Sequence, residues 1–446
     1  MPDSARPSRS KPRLSRVFAA VNLGSFRVSA MIAGITETGE FVVLGSGHRG
    51  AEGIRRGYVV DMEGATRSVR EAIEKAEHMA ELEVRKVFVG CSGAGLVSRS
   101  ERVEIEVGGR RIEDGDIDQL LVLARETIQP DGRVMLHAQP ALYTLDGAHG
   151  VANPRGLHAE RLAVDIHVMY ADGAPVRNLT EAVRAAHLDV EAVVGSPVAT
   201  GHACLTPEER ELGVALVDFG AEVTTISVYA AGMLLGMQVL GRGSGDLTDA
   251  IASHFGIRRA QAERLKCVNG SAMASPADNR EMIPVAAPGE PEGAGPLARH
   301  ADDKNRIPRA ELIGVIVEQL GRFTEEIARE LKAMGFGGGV GGAGAAGAAG
   351  RGQQVVLTGG GAQLPGLADY VQSALGRPVR IGTPPALDGL PPGHATPSYA
   401  TLAGLVLYAA ADPVDIRNVG RRMAPAGRGG PVGLALRVVR AIRDYF

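Results

Sequence analysis

The feature that most constrains this chain is a short pattern that occurs twice. Ala19-Ala20-Val21-Asn22-Leu23-Gly24-Ser25 and Ala215-Leu216-Val217-Asp218-Phe219-Gly220-Ala221 both read as an apolar strand, then Asn or Asp, one apolar residue and Gly. An alternating strand follows each, at 27–32 and at 224–229. Such a strand–turn–strand lets backbone N–H groups face an anion, with Gly supplying the φ that a tight turn needs. An acidic residue at the strand end, here Asp218, can hold metal-bound water beside phosphates. One such hairpin alone is an ordinary piece of sheet. Two of them predict a duplicated fold whose halves close on one nucleotide.

A third element joins them. Val355-Val356-Leu357-Thr358 is a buried strand feeding Gly359-Gly360-Gly361, a bare turn where a nucleobase or ribose can lie against the backbone. Glu263 and Lys266 fall at i and i+3 of a helix predicted over 258–267, so they share a face. They read either as a pair that bonds a ribose or adenine edge, or as a surface ion pair.

The 446 residues are too many for one core and suggest two to four domains. A net charge of −3, 4% aromatics and no Trp argue against nucleic acid as a partner. Cys91, Cys204 and Cys267 have no metal spacing and suggest a reducing compartment. The N-terminus reads as a basic tail rather than a signal peptide, and no run of apolar residues is long enough to span a bilayer. Further helices are predicted near 63–81, 179–186, 246–255, 309–334 and 397–411, and a strand at 85–90. The alternating strand at 103–107, a helix near 116–126 and a strand at 162–169 suggest a separate α+β module. Residues 275–307 and 337–352 show no periodicity and read as mobile loops.

The order of these motifs resembles the actin/Hsp70/sugar-kinase superfamily, and within it the FtsA family of bacterial division proteins. The resemblance covers roughly residues 17–446. It is carried by the hairpin at 21–27, His137-Ala138-Gln139-Pro140 with Tyr143 and Leu145-Asp146-Gly147, and residues 213–229. Gly245-Asp246-Leu247-Thr248, Ala262-Glu263-Arg264-Leu265-Lys266 with Gly270-Ser271-Ala272, residues 357–366 and Tyr399-Ala400-Thr401 complete it. It implies an α/β, actin-like fold of two ribonuclease H-like lobes. The expected organisation is a disordered tail (1–15), a first lobe (16–97, 179–205 and 390–416) and an inserted SHS2-like module (98–178). A second, nucleotide-binding lobe (206–389), a basic linker (417–430) and an amphipathic helix (431–446) follow.

The resemblance also implies a site for ATP or ADP with Mg. Its expected residues are Asn22, Gly24, Ser25, Phe26 and Arg27 from the first hairpin and Asp218, Gly220 and Thr224 from the second, with Asp218 on Mg through water. Gly245, Asp246, Glu263, Lys266, Gly359, Gly360, Gly361 and Gln363 complete the set. Implied partners are the C-terminal peptide of the tubulin-like FtsZ, further copies of the chain in filaments, and later division proteins through the module. The chain departs from the family pattern at Asn22, usually Asp, and at Ala221-Glu222, usually Gly-Gly. Asn22 gives no negative charge to hydrated Mg, Ala221 adds a Cβ where positive φ is expected, and Glu222 brings an anion near phosphate. Hydrolysis is therefore expected to be slow or absent, with binding itself left open.

Residues 431–446 have helical periodicity. Leu434, Ala435, Val438, Val439, Ile442, Tyr445 and Phe446 gather on one side, and Arg437, Arg440, Arg443 and Asp444 on the other; Leu436 adds to the expected membrane contact. Seven Arg and one Asp from Arg417 onward give a local charge of +6. Such a helix is expected to lie in an anionic membrane surface at the inner face of the plasma membrane. A sugar or small-molecule kinase on the same fold, or a pilus-assembly actin homologue, are the alternatives. A kinase has no need of the basic tail, and the HAQP-bearing module argues against the pilus protein. His137 and Tyr143 read as core residues before they read as a catalytic pair.

Overall fold

A computed structural model describes residues 13–93, 95–285, 306–337 and 354–418. The first lobe opens with β1 (Leu14–Leu23), β2 (Arg27–Thr36) and β3 (Phe41–Gly50), an antiparallel meander. A two-residue hairpin, β4 (Ile54–Arg55) and β5 (Tyr58–Val59), leads into α1 (Met62–Ala80) and β6 (Lys86–Cys91). Asp61 caps α1 by accepting from the Glu63 and Gly64 N–H groups, and Glu81 ends it in a left-handed conformation. Its buried stripe, Ala65, Val69, Ala72, Ile73 and Ala76, has the spacing of one helix face.

The module follows as β7 (Val97–Glu106), α2 (Asp114–Thr127), β8 (Val134–Leu145), β9 (Ala148–Val151) and β10 (Arg161–Ala171). Its four strands form an antiparallel sheet of their own, ordered β7-β10-β8-β9. Next, α3 (Gly173–Ala185) buries Val176, Leu179, Ala182 and Val183 in the first lobe's core. The module's fold therefore ends at Ala171 rather than at residue 178, because α3 presents its apolar face to α1 and not to the module. The lobe is completed by β11 (Asp189–Gly195), which lies parallel to β6.

The chain crosses over through α4 (Ser196–Cys204) and α5 (Pro207–Leu212). The second lobe then repeats the first. β12 (Val214–Phe219), β13 (Thr224–Ala230) and β14 (Met233–Leu240) form the meander. α6 (Ser244–Phe255), α7 (Arg259–Asn269), β15 (Met282–Pro284), β16 (Arg306–Pro308) and α8 (Arg309–Ala333) come next. β17 (Gln354–Thr358), α9 (Leu367–Leu375) and β18 (Val379–Ile381) close the sheet, and α10 (Ala400–Ala411) returns to the first lobe. The strand orders β3-β2-β1-β6-β11 and β14-β13-β12-β17-β18 are the same: three antiparallel strands, then two parallel ones. This repeated topology is the duplication anticipated from the two glycine motifs.

One expected loop, 275–307, and the expected linker differ in part. Residues 275–285 and 306–307 are not loop: Pro276–Asn279 is a 3-10 turn and β15 pairs with β16. Arg309 holds that turn to the start of α8 through Asp278 and Glu281, both at 3.0 Å. Arg417 does not begin a linker. It lies in a 3-10 turn, Ile416–Asn418, chelates the buried Asp415 carboxylate and donates to the Met135 carbonyl oxygen. Residues 419–446, which include the expected membrane helix, lie outside the described residues, as do 1–12, 286–305 and 338–353.

The lobes are joined where α10 crosses α4. A Cβ on Gly404 would lie 1.8 Å from the Ala199 carbonyl oxygen. Gly404→Ala is expected to cost about 3 kcal/mol, read as a lower urea midpoint. Gly314→Ala, in α8 with open space around it, is expected to stabilise the fold by about 0.5–1 kcal/mol, read as a higher midpoint.

Candidate functional site

The two glycine hairpins face each other across a cleft of about 460 Å³ between the lobes. Their registers match residue for residue. Asn22 pairs with Ser29 across the first hairpin, and Asp218 with Thr225 across the second. All four side chains line the cleft. Each turn closes in the same way: Gly24 N–H donates to the Arg27 carbonyl at 3.2 Å, and Gly220 N–H to the Val223 carbonyl at 3.0 Å.

The reason for glycine in these turns differs from the expected one. Neither Gly24 nor Gly220 has positive φ, and Ala221 does not either, so no φ strain arises at Ala221. Glycine is required by crowding. A Cβ at Gly24 would sit 2.9 Å from the Arg27 carbonyl oxygen, and one at Gly220 2.6 Å from that of Val223.

Most of the expected residues line the cleft: Asn22, Gly24, Ser25, Phe26, Arg27, Asp218, Gly220, Gly245, Glu263, Lys266, Gly359, Gly360, Gly361 and Gln363. Thr224 and Asp246 do not. Strand alternation turns Thr224 to the opposite face, where its hydroxyl donates to the Arg242 carbonyl, and puts Thr225 in the cleft instead. Asp246 folds back to accept from Gly243 N–H at 2.7 Å as a helix cap. Within the glycine triplet, Gly359 has φ +87, and a Cβ there would strike Asp218 Oδ1 at 2.4 Å. Gly361 packs against the Phe219 ring, and Gly360 has room.

The charges in the cleft are unequal. Asp218 accepts from Thr401 Oγ1 at 3.2 Å. Burial pushes its carboxyl up to about 6, with the Thr401 hydrogen bond opposing. Its counterpart Asn22 has its Oδ1 buried without a partner. These two oxygens at matched strand ends fit a hydrated cation, which would neutralise one and donate water hydrogens to the other. Among the described residues no cluster of three or more His, Cys, Asp or Glu can hold a metal. A cation here would thus take most of its ligands from water and from a bound anion.

On the far wall, the Glu263–Lys266 pair is more than a surface ion pair. Lys266 is buried; its Nζ meets Glu263 Oε2 and Thr248 Oγ1 at 2.8 Å and the Ser244 carbonyl at 2.9 Å. Burial drives the Glu263 carboxyl up, but hydrogen bonds from Lys266 and Thr248 outweigh it and hold the group below the usual range. Arg27 is turned away from the hairpin tip: its Nη1 donates to Tyr399 Oη at 3.0 Å and its guanidinium stacks 4.2 Å over that ring.

Several lining residues were absent from the expected set: Ser29, Gly57, Thr225, Arg259, Ser398 and Thr401. A signal for Gly57 existed. Ile54-Arg55-Arg56-Gly57-Tyr58-Val59 places Gly second in a two-residue hairpin turn. Arg56, at φ 49, takes the left-handed conformation that such a turn demands, at a cost of about 1 kcal/mol. His137 is a core residue: fully buried, its Nε2 accepts from Gly195 N–H at 2.9 Å, and burial lowers it to about 3.

Two like-ordered sheets, each turning a glycine hairpin to a shared cleft, define an actin-like, two-lobed protein. Solved structures agree on the fold. The PilM–PilN type IV pilus biogenesis complex matches with a TM-score of 0.59 at 18% identity, covering 89% of this chain and 98% of that one. MreB 5 of Spiroplasma citri bound to AMPPNP matches at 0.50 and 11%, covering 92% and 99%. Residues 215–404 match the family model for cell division protein FtsA, and residues 93–170 that for the SHS2 domain inserted in FtsA. The cell division protein FtsA of Agrobacterium fabrum (strain C58) is 32% identical over 443 residues, covering 97% of this chain and 95% of that protein. That of Escherichia coli (strain K12) is 28% identical over 396 residues, covering 88% and 90%. The chain belongs to the FtsA family of cell division proteins.

The raised Asp218 carboxyl makes stability pH-dependent. Between 3.8 and about 6 the folded protein binds more protons there than the unfolded chain, so stability falls as pH rises through that window. Asp218→Asn is expected to raise the melting temperature of the ligand-free protein at pH 7.5, with the gain shrinking towards pH 4. Calorimetry across that range checks it.

Proposed function

We propose that this chain is a nucleotide-binding division protein that links an FtsZ ring to the inner face of the plasma membrane. It binds ATP or ADP in the interlobe cleft, assembles into filaments and recruits later division proteins through its inserted module. The observation that carries the nucleotide reading is the pair of matched hairpins presenting Asp218 and the orphaned Asn22 oxygen to one cleft. Family membership supports the division role, and the AMPPNP named with the MreB 5 structure supports the choice of ligand.

In this reading the hairpin backbones at Gly24 and Gly220 face the phosphates. Asp218 would hold water on a bound Mg, and the Glu263–Lys266 pair with Gly360 would border the nucleoside. Mg supplies charge neutralisation of the phosphates when bound. Asn22 withholds the second carboxylate at the strand ends, so the protein is at most a slow ATPase. Each carboxylate lining the cleft already has a partner, which disfavours the kinase alternative: Glu263 is held by Lys266 and Thr248, Glu222 accepts from the Arg56 amide and Asp218 from Thr401. The pilus alternative is disfavoured by the FtsA-type module.

Adding ATP or ADP with Mg is expected to raise the melting temperature in proportion to the logarithm of nucleotide concentration. A melting curve unmoved at millimolar nucleotide refutes the assignment. Removing 431–446 is expected to abolish co-sedimentation with anionic vesicles, and binding that survives the deletion refutes the tether.

A further inference from the structure

Glu222, in the turn of the second hairpin, reaches the other lobe. Its Oε2 accepts from Arg56 N–H at 2.7 Å. The next amide, Gly57 N–H, donates to Ser25 Oγ at 3.3 Å. Ser25 and Glu222 stand in the turns of the two matched hairpins. Consecutive amides of the β4–β5 turn therefore tie both hairpins together across the cleft mouth.

Both turn residues have positive φ, Arg56 at 49 and Gly57 at 76. Successive N–H groups displayed by a tight turn form an anion site. Here one of those amides already holds an anion, the Glu222 carboxylate, supplied by the opposite lobe. Arg259, the cation on the same wall, is engaged by Asp249 through its Nε at 2.7 Å. Its charge still acts on Glu222 through space.

We infer that Glu222 is an internal anion that pins the lobes together without a terminal phosphate, and that it selects nucleoside diphosphate over triphosphate. This rests on the reading of the cleft as a nucleotide site. A triphosphate brings one more phosphoryl group into the space between the two turns. That group meets a carboxylate fixed by Arg56, and like charges in a half-desolvated space repel. A diphosphate avoids the encounter and leaves the Arg56 bond intact.

Two readouts on the full chain test this. Titration calorimetry compares ADP with a non-hydrolysable ATP analogue, both with Mg, on the native protein, Glu222→Gln and Glu222→Ala. Hydrogen exchange follows the Arg56 amide without nucleotide. The preference for diphosphate is expected to fall about tenfold in both variants, because both remove the charge. The Arg56 amide is expected to exchange about tenfold faster in Glu222→Ala, while Gln, which keeps an acceptor oxygen, retains part of the protection. An unchanged preference in both variants, with ADP still bound, overturns the selectivity. Equal Arg56 exchange in native protein and Glu222→Ala overturns the pin. If none of the three binds ADP, the nucleotide reading fails and selectivity with it, and Arg56 exchange alone then decides the pin.

Discussion

The contact on which the two-lobed arrangement depends is the backbone crossing of α4 and α10. Gly404 brings one helix so near the other that any side chain there would overlap the Ala199 carbonyl. Around this crossing the first lobe's core runs into the second: Val214, Leu216, Tyr229 and Val356 bury against α4, and Tyr229 Oη donates to the Pro197 carbonyl at 2.7 Å. A crossing this close leaves little freedom for sliding. The hairpins lie close to this crossing: Thr401, one turn before Gly404 in α10, donates to Asp218 at 3.2 Å. The position of the cleft follows from where the helices touch.

At the cleft the duplication has been kept in shape and broken in charge. Asn22 and Asp218 occupy the same place in the same hairpin, yet one offers an uncharged oxygen and the other a half-buried carboxylate. Turn residues differ likewise: Ser25 and Phe26 in the first are Ala221 and Glu222 in the second. One lobe thus contributes amides and a hydroxyl at the cleft mouth, and the other contributes carboxylates. Attraction across the gap is a property of the pair and of neither hairpin alone.

The hairpins, the first module strand and the long helix α8 were legible because each has a strong local period or a glycine at a required place. Other features were not, because their causes are not local. Thr224 and Thr225 are equivalent as residues, and only strand register decides which faces the cleft. Asp246 and Asp218 are both acidic, but one lies where a helix start claims it. β15 and β16 are three residues each, and their pairing depends on Arg309 gathering Asp278 and Glu281. The turn glycines were recognised for the wrong reason: sequence marks a missing side chain, not whether torsion or crowding demanded it.

The same distinction governs the end of the described chain. Arg417 reads in sequence as the first basic residue of a linker, yet it is held tightly. Asp415 is buried and accepts from Ala138 N–H and from Arg417, while Ile416 fills the module's core. Removing the Arg417 side chain leaves the buried Asp415 carboxylate with only the backbone amides of Ala138 and of position 417 and costs about 1.5–3 kcal/mol, more than a fully exposed arginine contributes. The segment beyond Asn418 therefore starts from a fixed point that touches both the inserted module, through Met135 and Ala138, and the first lobe, through α10. Strand β8 of the module also carries His137, whose imidazole is bonded to Gly195 at the entrance to α4. The fixed end of the described chain, the module and the α4–α10 crossing are thus joined by one run of buried contacts.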